Sequence, residues 1–127
     1  MAVQLNHTIV WAYDKHESAA FMADLLGLGA PTRYGSFVIV HVDNDVSLDF
    51  LDVDETVHPQ HYAFIVDEEG FDEIFERICA RGLSYWADPG QEQQGEINTR
   101  DGGRGVYWED PNGHLLEIIT QPYGSLV

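Results

Sequence analysis

Three side chains carry the chemistry this sequence offers. His7 alternates with Leu5, Ile9 and Trp11 along one face of a β-branched, aromatic segment, and His61 shares its face with Ala63 and Ile65. Glu117 is surrounded by Leu115, Leu116, Ile118 and Ile119, so a strand there is apolar on both faces and its carboxylate is buried. An unpaired buried carboxylate costs roughly several kcal/mol, and the chain has only six Lys and Arg to pair it with. Two neutral imidazoles and one carboxylate form a ligand set for a divalent transition metal with open coordination positions. The cation compensates the acid, and each imidazole gives a lone pair. A second reading stands beside it: each histidine is a hydrogen-bonded core or cleft residue, and Glu117 is neutralised by Arg33, Arg100 or Arg104.

Other residues offer weaker signals. Arg104, in Asp101-Gly-Gly-Arg-Gly105, is a cation in a very acidic chain, and its flanking glycines permit close backbone approach. Its planar fork suits a substrate carboxylate or phosphate, and equally a surface ion pair. Asn98 and Glu96 belong to the same loop, and His41 and His58 are candidates for a base or a rim contact. His114, in the turn before Glu117, reads as structural or exposed. Cys79 reads as core packing on a helical stripe. Trp11, Trp86 and Trp108 fit either an apolar pocket or the core.

The elements that must position these groups come in two similar series. The segment 5–11 reads as a strand, and Asp14 with Glu17 as a helix start. Phe21, Met22, Leu25 and Leu26 form an apolar stripe that Gly27 ends. A short strand near 32–34 and two longer ones at 37–42 and 46–53 follow, the longer pair joined by Asp43-Asn44-Asp45. Then 61–66 reads as a strand, and Phe71, Ile74, Phe75, Ile78 and Cys79 as one face of a helix closed by Gly82. A short strand at 83–86 and a polar stretch from Asp88 to Gly103 come next, and strands at 105–109 and 115–120 flank the turn Asp110-Pro-Asn-Gly113. The two histidines are 61 − 7 = 54 residues apart, and the glycines closing the helices 82 − 27 = 55. Asp49 and Glu117 occupy matching places on the last strand of each series, with a separation of 117 − 49 = 68. An insertion of 14 residues in the 88–103 loop absorbs the difference. Long loops in compact domains are often functional.

The chain has 127 residues and a formal net charge of −16, with 44% hydrophobic residues. That fits one folded domain and excludes general disorder. The charge argues against nucleic acid, whose phosphates need clustered Lys and Arg, and against anionic membrane surfaces. No apolar run approaches the ~20 residues of a membrane span. The start of the chain lacks the basic and apolar segments of a secretory signal, and the single cysteine fits a reducing compartment. The expectation is a cytoplasmic protein.

The twofold βαβββ pattern, the histidines at strand starts and the segment Gly105-Val-Tyr-Trp-Glu-Asp-Pro-Asn-Gly-His-Leu-Leu-Glu117 resemble the vicinal oxygen chelate superfamily. That superfamily includes glyoxalase I, extradiol dioxygenases, fosfomycin-resistance enzymes, methylmalonyl-CoA epimerase and bleomycin-resistance proteins. The resemblance spans essentially the whole chain. It implies an α+β fold: two βαβββ modules, at about 4–54 and 59–121, forming a cupped eight-stranded mixed sheet in a single domain, 1–127, with the helices outside. It places His7, His61 and Glu117 at the metal-ligand positions, with one divalent ion per site (Fe²⁺, Mn²⁺, Ni²⁺ or Zn²⁺). Asp49 falls at the fourth position, where glyoxalase-like members usually carry the longer Glu. Asp reaches one methylene less far, which leaves a water-mediated contact, an acid–base role or a polar floor. Tyr107 falls where dioxygenase-like and fosfomycin-resistance-like members place a tyrosine touching substrate, and where many others keep an aromatic for packing.

The implied activity is a metal-dependent lyase, isomerase or dioxygenase reaction on a small substrate with two adjacent oxygens. Arg104, Asn98 and His41 are the substrate-contact candidates. The short Asp49 weakens a straightforward glyoxalase I assignment. Extradiol dioxygenases usually have an additional histidine near the bound oxygen, and His41 is the one strand histidine suited to that place. A thiol-transferring fosfomycin-resistance enzyme is disfavoured, because its phosphonate-binding basic residues and potassium loop find no convincing match. The alternative is a bleomycin-resistance-like protein that sequesters a cationic antibiotic, which the −16 charge favours. The resemblance also implies a homodimer, in which modules exchange so that His7 of one chain meets His61 and Glu117 of the other.

Overall fold

The structure, a computed structural model, describes residues 1–125. The chain divides into two compact units between His58 and Pro59. The first holds β1 (His7–Ala12), α1 (Lys15–Leu26), β2 (Thr32–Tyr34), β3 (Phe37–His41) and β4 (Ser47–Asp52). The second holds β5 (His61–Ile65), α2 (Glu68–Ala80), β6 (Tyr85–Trp86), β7 (Gly105–Glu109) and β8 (Leu115–Ile119), with a short 3-10 turn at Arg100–Gly102. The eight expected strands and both helices are present, and hydrogen bonding orders the strands as two four-stranded mixed sheets. The orders are β1-β4-β3-β2 and β5-β8-β7-β6. In each, the first strand runs parallel to the last and the other pairings are antiparallel.

In the first unit the period-2 pattern separates two faces. Val10, Ala12, Val38, Val40, Leu48 and Phe50 are buried, and α1 packs against β1, β3 and β4. Asp14 caps α1 by accepting from the backbone N–H of His16 and Glu17, and Gly27 ends it with φ of 70°. The face that α1 buries is built from Ser18, Ala19, Met22, Ala23 and Leu25, while Phe21 and Leu26 are half-buried. Small residues let the helix lie close to the sheet. The other sheet face carries His7, Ile9 and Trp11, and the last two remain 38% and 41% exposed.

In the second unit Leu116, Ile118, Val106 and Trp108 are fully buried. Helix α2 starts at Glu68, earlier than its apolar stripe, because Asp67 caps it by accepting from Gly70 N–H at 2.7 Å. It buries Phe71, Ile74 and Ile78, and Phe75 meets Tyr85 of β6 edge-on at 5.0 Å. Cys79 is exposed rather than part of the core. Eight residues beyond Phe71, at about 100° per residue, it falls at the edge of the stripe and not under it.

The β7–β8 turn is held by Asp110. Its carboxylate accepts from Asn112 N–H at 2.9 Å, His114 N–H at 2.8 Å and the Asn112 amide at 3.0 Å, and Gly113 takes φ of 89°. His114 is structural: its ring is fully buried, its Nδ1 accepts from Gln60 N–H at 2.9 Å, and Tyr62 meets it edge-on.

Strand register reproduces the repeat. Asp49 lies between Ile9 and Ile39, and Glu117 lies between Ala63 and Tyr107. The first strands are offset by 63 − 9 = 54, and the paired strands by 107 − 39 = 68. Thr32 pairs with Ile39 as Trp86 pairs with Tyr107, which gives the short strands an offset of 86 − 32 = 54. The extra 14 residues therefore enter between Trp86 and Gly105.

Candidate metal centre

Strands β5 and β8 bring His61 and Glu117 together. His61 pairs with Leu115 and Ala63 with Glu117, so both site residues share the β-sheet face opposite the one that buries Leu116 and Ile118. Nε2 of His61 lies 3.0 Å from Oε1 of Glu117. The carboxylate is fully buried, whereas the imidazole is 45% exposed.

The other ring nitrogen fixes the histidine's role. Nδ1 of His61 lies 2.9 Å from the carbonyl oxygen of Leu115. A carbonyl only accepts, so Nδ1 carries a proton and donates it. On a neutral ring Nε2 then presents its lone pair to the Glu117 carboxylate, which is also an acceptor. Two lone pairs at this distance need something between them: a proton, on the ring or on the acid, or a metal ion. The backbone-anchored Nδ1 is the usual arrangement that aims a histidine at a metal. The donor set, one imidazole nitrogen and one carboxylate oxygen about 3 Å apart, also matches adjacent ligands on an octahedral ion with bonds of about 2.1 Å. The residues therefore fit a divalent metal.

The second carboxylate oxygen is taken by a residue that sequence reasoning missed. Tyr123 donates its hydroxyl to Oε2 of Glu117 at 2.5 Å, and Tyr107 meets the Tyr123 hydroxyl at 3.1 Å. Nη1 of Arg100 donates to the Tyr107 hydroxyl at 3.3 Å. The Tyr107 ring stacks on His61 with centroids 5.9 Å apart. Burial, reinforced by Glu117, pushes the Tyr107 hydroxyl above its ordinary pKa; Tyr123 is pushed further in the same direction, by burial and by its bond to Glu117. Both stay protonated as donors across the physiological range.

Arg104 and Asn98, read from the sequence as substrate contacts, are held elsewhere. Arg104 ion-pairs with Glu68 at 2.7 Å and Asp72 at 2.8 Å, and its guanidinium lies 4.3 Å above the Phe71 ring. The ion-pair alternative is the one observed, because α2 presents two carboxylates beside the loop. Asn98 donates to Ala87 C=O at 2.8 Å, and its backbone exchanges hydrogen bonds with Gly105. It shapes the loop that delivers Arg100. Of the arginines weighed as counter-charges to Glu117, Arg100 serves Tyr107 and Arg104 serves α2.

In the first unit His7 stands at the start of β1, exposed, with Nδ1 2.8 Å from the Asn6 amide oxygen. Asp49 is half-buried and accepts from the Ser47 hydroxyl at 2.9 Å. His41 is exposed at the end of β3. Among the described residues, no three His, Cys, Asp or Glu side chains group as a metal set; His61 and Glu117 meet as a pair.

Comparisons with known proteins place nearly the whole chain in one family. The family model for the Glyoxalase/Bleomycin resistance protein/Dioxygenase superfamily matches residues 4–118. Over 124 residues the chain is 31% identical to glutathione transferase FosA of Serratia marcescens, covering 93% of this chain and 81% of that protein. The solved structure of oxidase ChaP-H1 is 64% identical, with a TM-score of 0.95 over 97% of this chain and 99% of that one. Oxidase ChaP-H2 is 61% identical, with a TM-score of 0.97 over 98% of each chain.

Proposed function

Because the chain belongs to the Glyoxalase/Bleomycin resistance protein/Dioxygenase superfamily, we propose that it is a divalent-metal-dependent oxidase of the dioxygenase type, acting on a small molecule that offers two adjacent oxygens. The observation that carries the reading is the fully buried Glu117 carboxylate, whose described partners are an imidazole nitrogen and a phenol. The two solved structures that the chain matches at 64% and 61% identity are named as oxidases, which favours oxidation over lyase or isomerase chemistry.

On this reading His7, His61 and Glu117 hold the ion, one per site. When bound, it supplies Lewis-acid stabilisation of charge on chelated oxygens. Tyr107, protonated and stacked on His61, stands beside that place, and its one proton, given to Tyr123 in the free protein, turns to a substrate oxygen when one is bound. Asp49 acts as the proton acceptor, and His41 stands at the rim. Two of the ligands come from β5 and β8, and His7 comes from β1. We propose that the molecule is a homodimer in which His7 of one chain completes the pair on the other. The open faces of β1, with Ile9 and Trp11, and of β5, with Ile65 61% exposed, offer apolar area for a second copy.

The test is anaerobic loading with Fe(II), followed by oxygen uptake on addition of catechols, diols or α-keto acids. One ion per chain and substrate-dependent uptake support the oxidase. Turnover without uptake assigns lyase or isomerase chemistry instead. Failure to retain Fe²⁺, Mn²⁺, Ni²⁺ or Zn²⁺ after dialysis sinks the metal site and leaves sequestration of a cationic antibiotic, which the −16 charge suits. Mixing His7→Ala with Glu117→Ala chains tests the exchange: a swapped dimer regains one intact site, and sites built within one chain do not.

A further inference from the structure

We propose that Tyr123 is a positioning residue that restricts Glu117 to a single metal-facing oxygen. The proposal rests on the metal site argued above. A carboxylate has two oxygens, and one cation can take either or both. Here Oε1 faces His61 Nε2 at 3.0 Å and Oε2 receives the Tyr123 hydroxyl at 2.5 Å. A phenol donating to a carboxylate makes a charge-assisted hydrogen bond, stronger than a neutral one. Swinging Oε2 onto the ion would break that bond at a fully buried carboxylate.

The phenol is itself held from behind. With its proton committed to Glu117, the Tyr123 oxygen can only accept, so the Tyr107 hydroxyl donates to it at 3.1 Å. The Tyr107 oxygen in turn accepts from Arg100 Nη1 at 3.3 Å. Every donor in the series therefore points one way, from Arg100 through both tyrosines to the acid. The segment that carries Tyr123 is also fixed. Ser125 N–H closes a turn onto Pro122 C=O at 3.2 Å, with Gly124 at a φ of 77°. The Ser125 hydroxyl reaches Asp101 C=O at 3.5 Å, next to Arg100.

The consequence is one coordination position. A carboxylate bound through both oxygens occupies two adjacent sites on the ion, and one bound through a single oxygen occupies one. The vacated position is what an enzyme needs if substrate is to bind through two neighbouring oxygens and still leave room for another reactant. Tyr123 thus sets how many ligands the ion accepts without touching it.

Mn(II) binding and water-proton relaxivity of the Mn(II)-loaded protein test this, using the full chain, Tyr123→Phe and Tyr107→Phe. Phe keeps the ring and removes only the hydroxyl, and thermal melting of the metal-free proteins checks folding. The expected result for Tyr123→Phe is an affinity about 10- to 100-fold weaker, the range for losing a group that orients a ligand. Its relaxivity should correspond to about one fewer bound water, since the freed Oε2 takes that place. Tyr107→Phe should move both readings the same way by less. If the wild type binds Mn(II) and Tyr123→Phe matches it in affinity and relaxivity, the positioning role is overturned and the metal site stands. Weaker binding with unchanged relaxivity also overturns the single-oxygen claim. A wild type that binds no Mn(II) overturns both the site and this role.

Discussion

The two modules share a strand order and a register, yet they treat their central acid in opposite ways. Asp49 sits between Ile9 and Ile39, half-buried, and satisfies itself on Ser47 of its own strand at 2.9 Å. Glu117 sits between Ala63 and Tyr107, fully buried, and is met by His61 and Tyr123. The scaffold thus supplies a position, while depth and partners decide whether that position does chemistry. His61 belongs to the shared pattern, as the counterpart of His7, but the other supports of Glu117 come from parts that the second module carries in addition. The longer loop between β6 and β7 delivers Arg100, and the segment after β8 delivers Tyr123. A duplicated fold buries the acid of one copy completely and leaves that of the other half-exposed.

Exchanging each acid for its amide tests that contrast most severely. Glu117→Gln keeps the shape and removes the charge, and metal affinity should fall by about 100-fold or more, beyond the loss typical of groups that merely orient a ligand. Its metal-free form should become more stable by about 1 kcal/mol, because a buried carboxylate no longer needs a counter-charge. Asp49→Asn should keep the metal, with stability within about 0.5 kcal/mol of wild type. It should lower kcat about 100-fold if Asp49 accepts a proton. Calorimetric titration with Mn(II), thermal melting and steady-state rates read all of these. Equal losses of metal from both variants would end the distinction between the modules.

The same contrast explains what could be read from the sequence. Period-2 and helical patterns, Asp14 and Gly27 as caps, and the 54- and 68-residue offsets are local or repeated signals, and register obeys them. Burial of Glu117 was legible because apolar residues flank it on both sides in sequence. Tyr123 was not, since it follows Pro122 outside any periodic segment and reaches Glu117 only through the fold of the terminal turn. Arg100 lost to Arg104 in the sequence because glycines flank the latter. The fold gives Arg104 to Glu68 and Asp72, a contact 36 residues distant at Glu68 that no local pattern announces. Cys79 shows the limit of a stripe: spacing identifies a face, and packing decides its width. Strand count was likewise readable, whereas which edges pair is a tertiary fact.

A smaller effect should separate the modules at the base of the long loop. Gly105 opens β7 with its Cα against the Asn98 side chain, and an added Cβ would lie 2.9 Å from both amide atoms. Gly105→Ala should therefore cost about 1–3 kcal/mol in urea unfolding. The matching position in β3, at 105 − 68 = 37, is Phe37, whose side chain is half-buried without such an approach. A neutral Gly105→Ala would mean that the loop can shift freely, and Arg100 would lose its claim to a fixed place beside Tyr107.

The subtlest comparison lies in the two turns, where Gly113 corresponds to Asp45 at 113 − 68 = 45. Both adopt left-handed backbone, with φ of 89° and 64°. An L side chain there costs roughly 1–2 kcal/mol, and Asp is among the residues that bear it best through local hydrogen bonding. Gly113→Ala should thus destabilise by about 1 kcal/mol. Asp45→Gly should change stability by no more than about 0.5 kcal/mol, because relief of strain is offset by the greater freedom of glycine in the unfolded chain. Their functional consequences should differ more than their stabilities. The Gly113 turn sets the β7–β8 register that puts Tyr107 opposite Glu117, so Gly113→Ala should also weaken Mn(II) binding. The Asp45 turn joins β3 to β4, where the register presents Asp49 to Ile39, and its variant should bind Mn(II) as the wild type does. Matched losses of Mn(II) affinity in both would show that each turn reaches the metal, and the division of labour between the modules would fail.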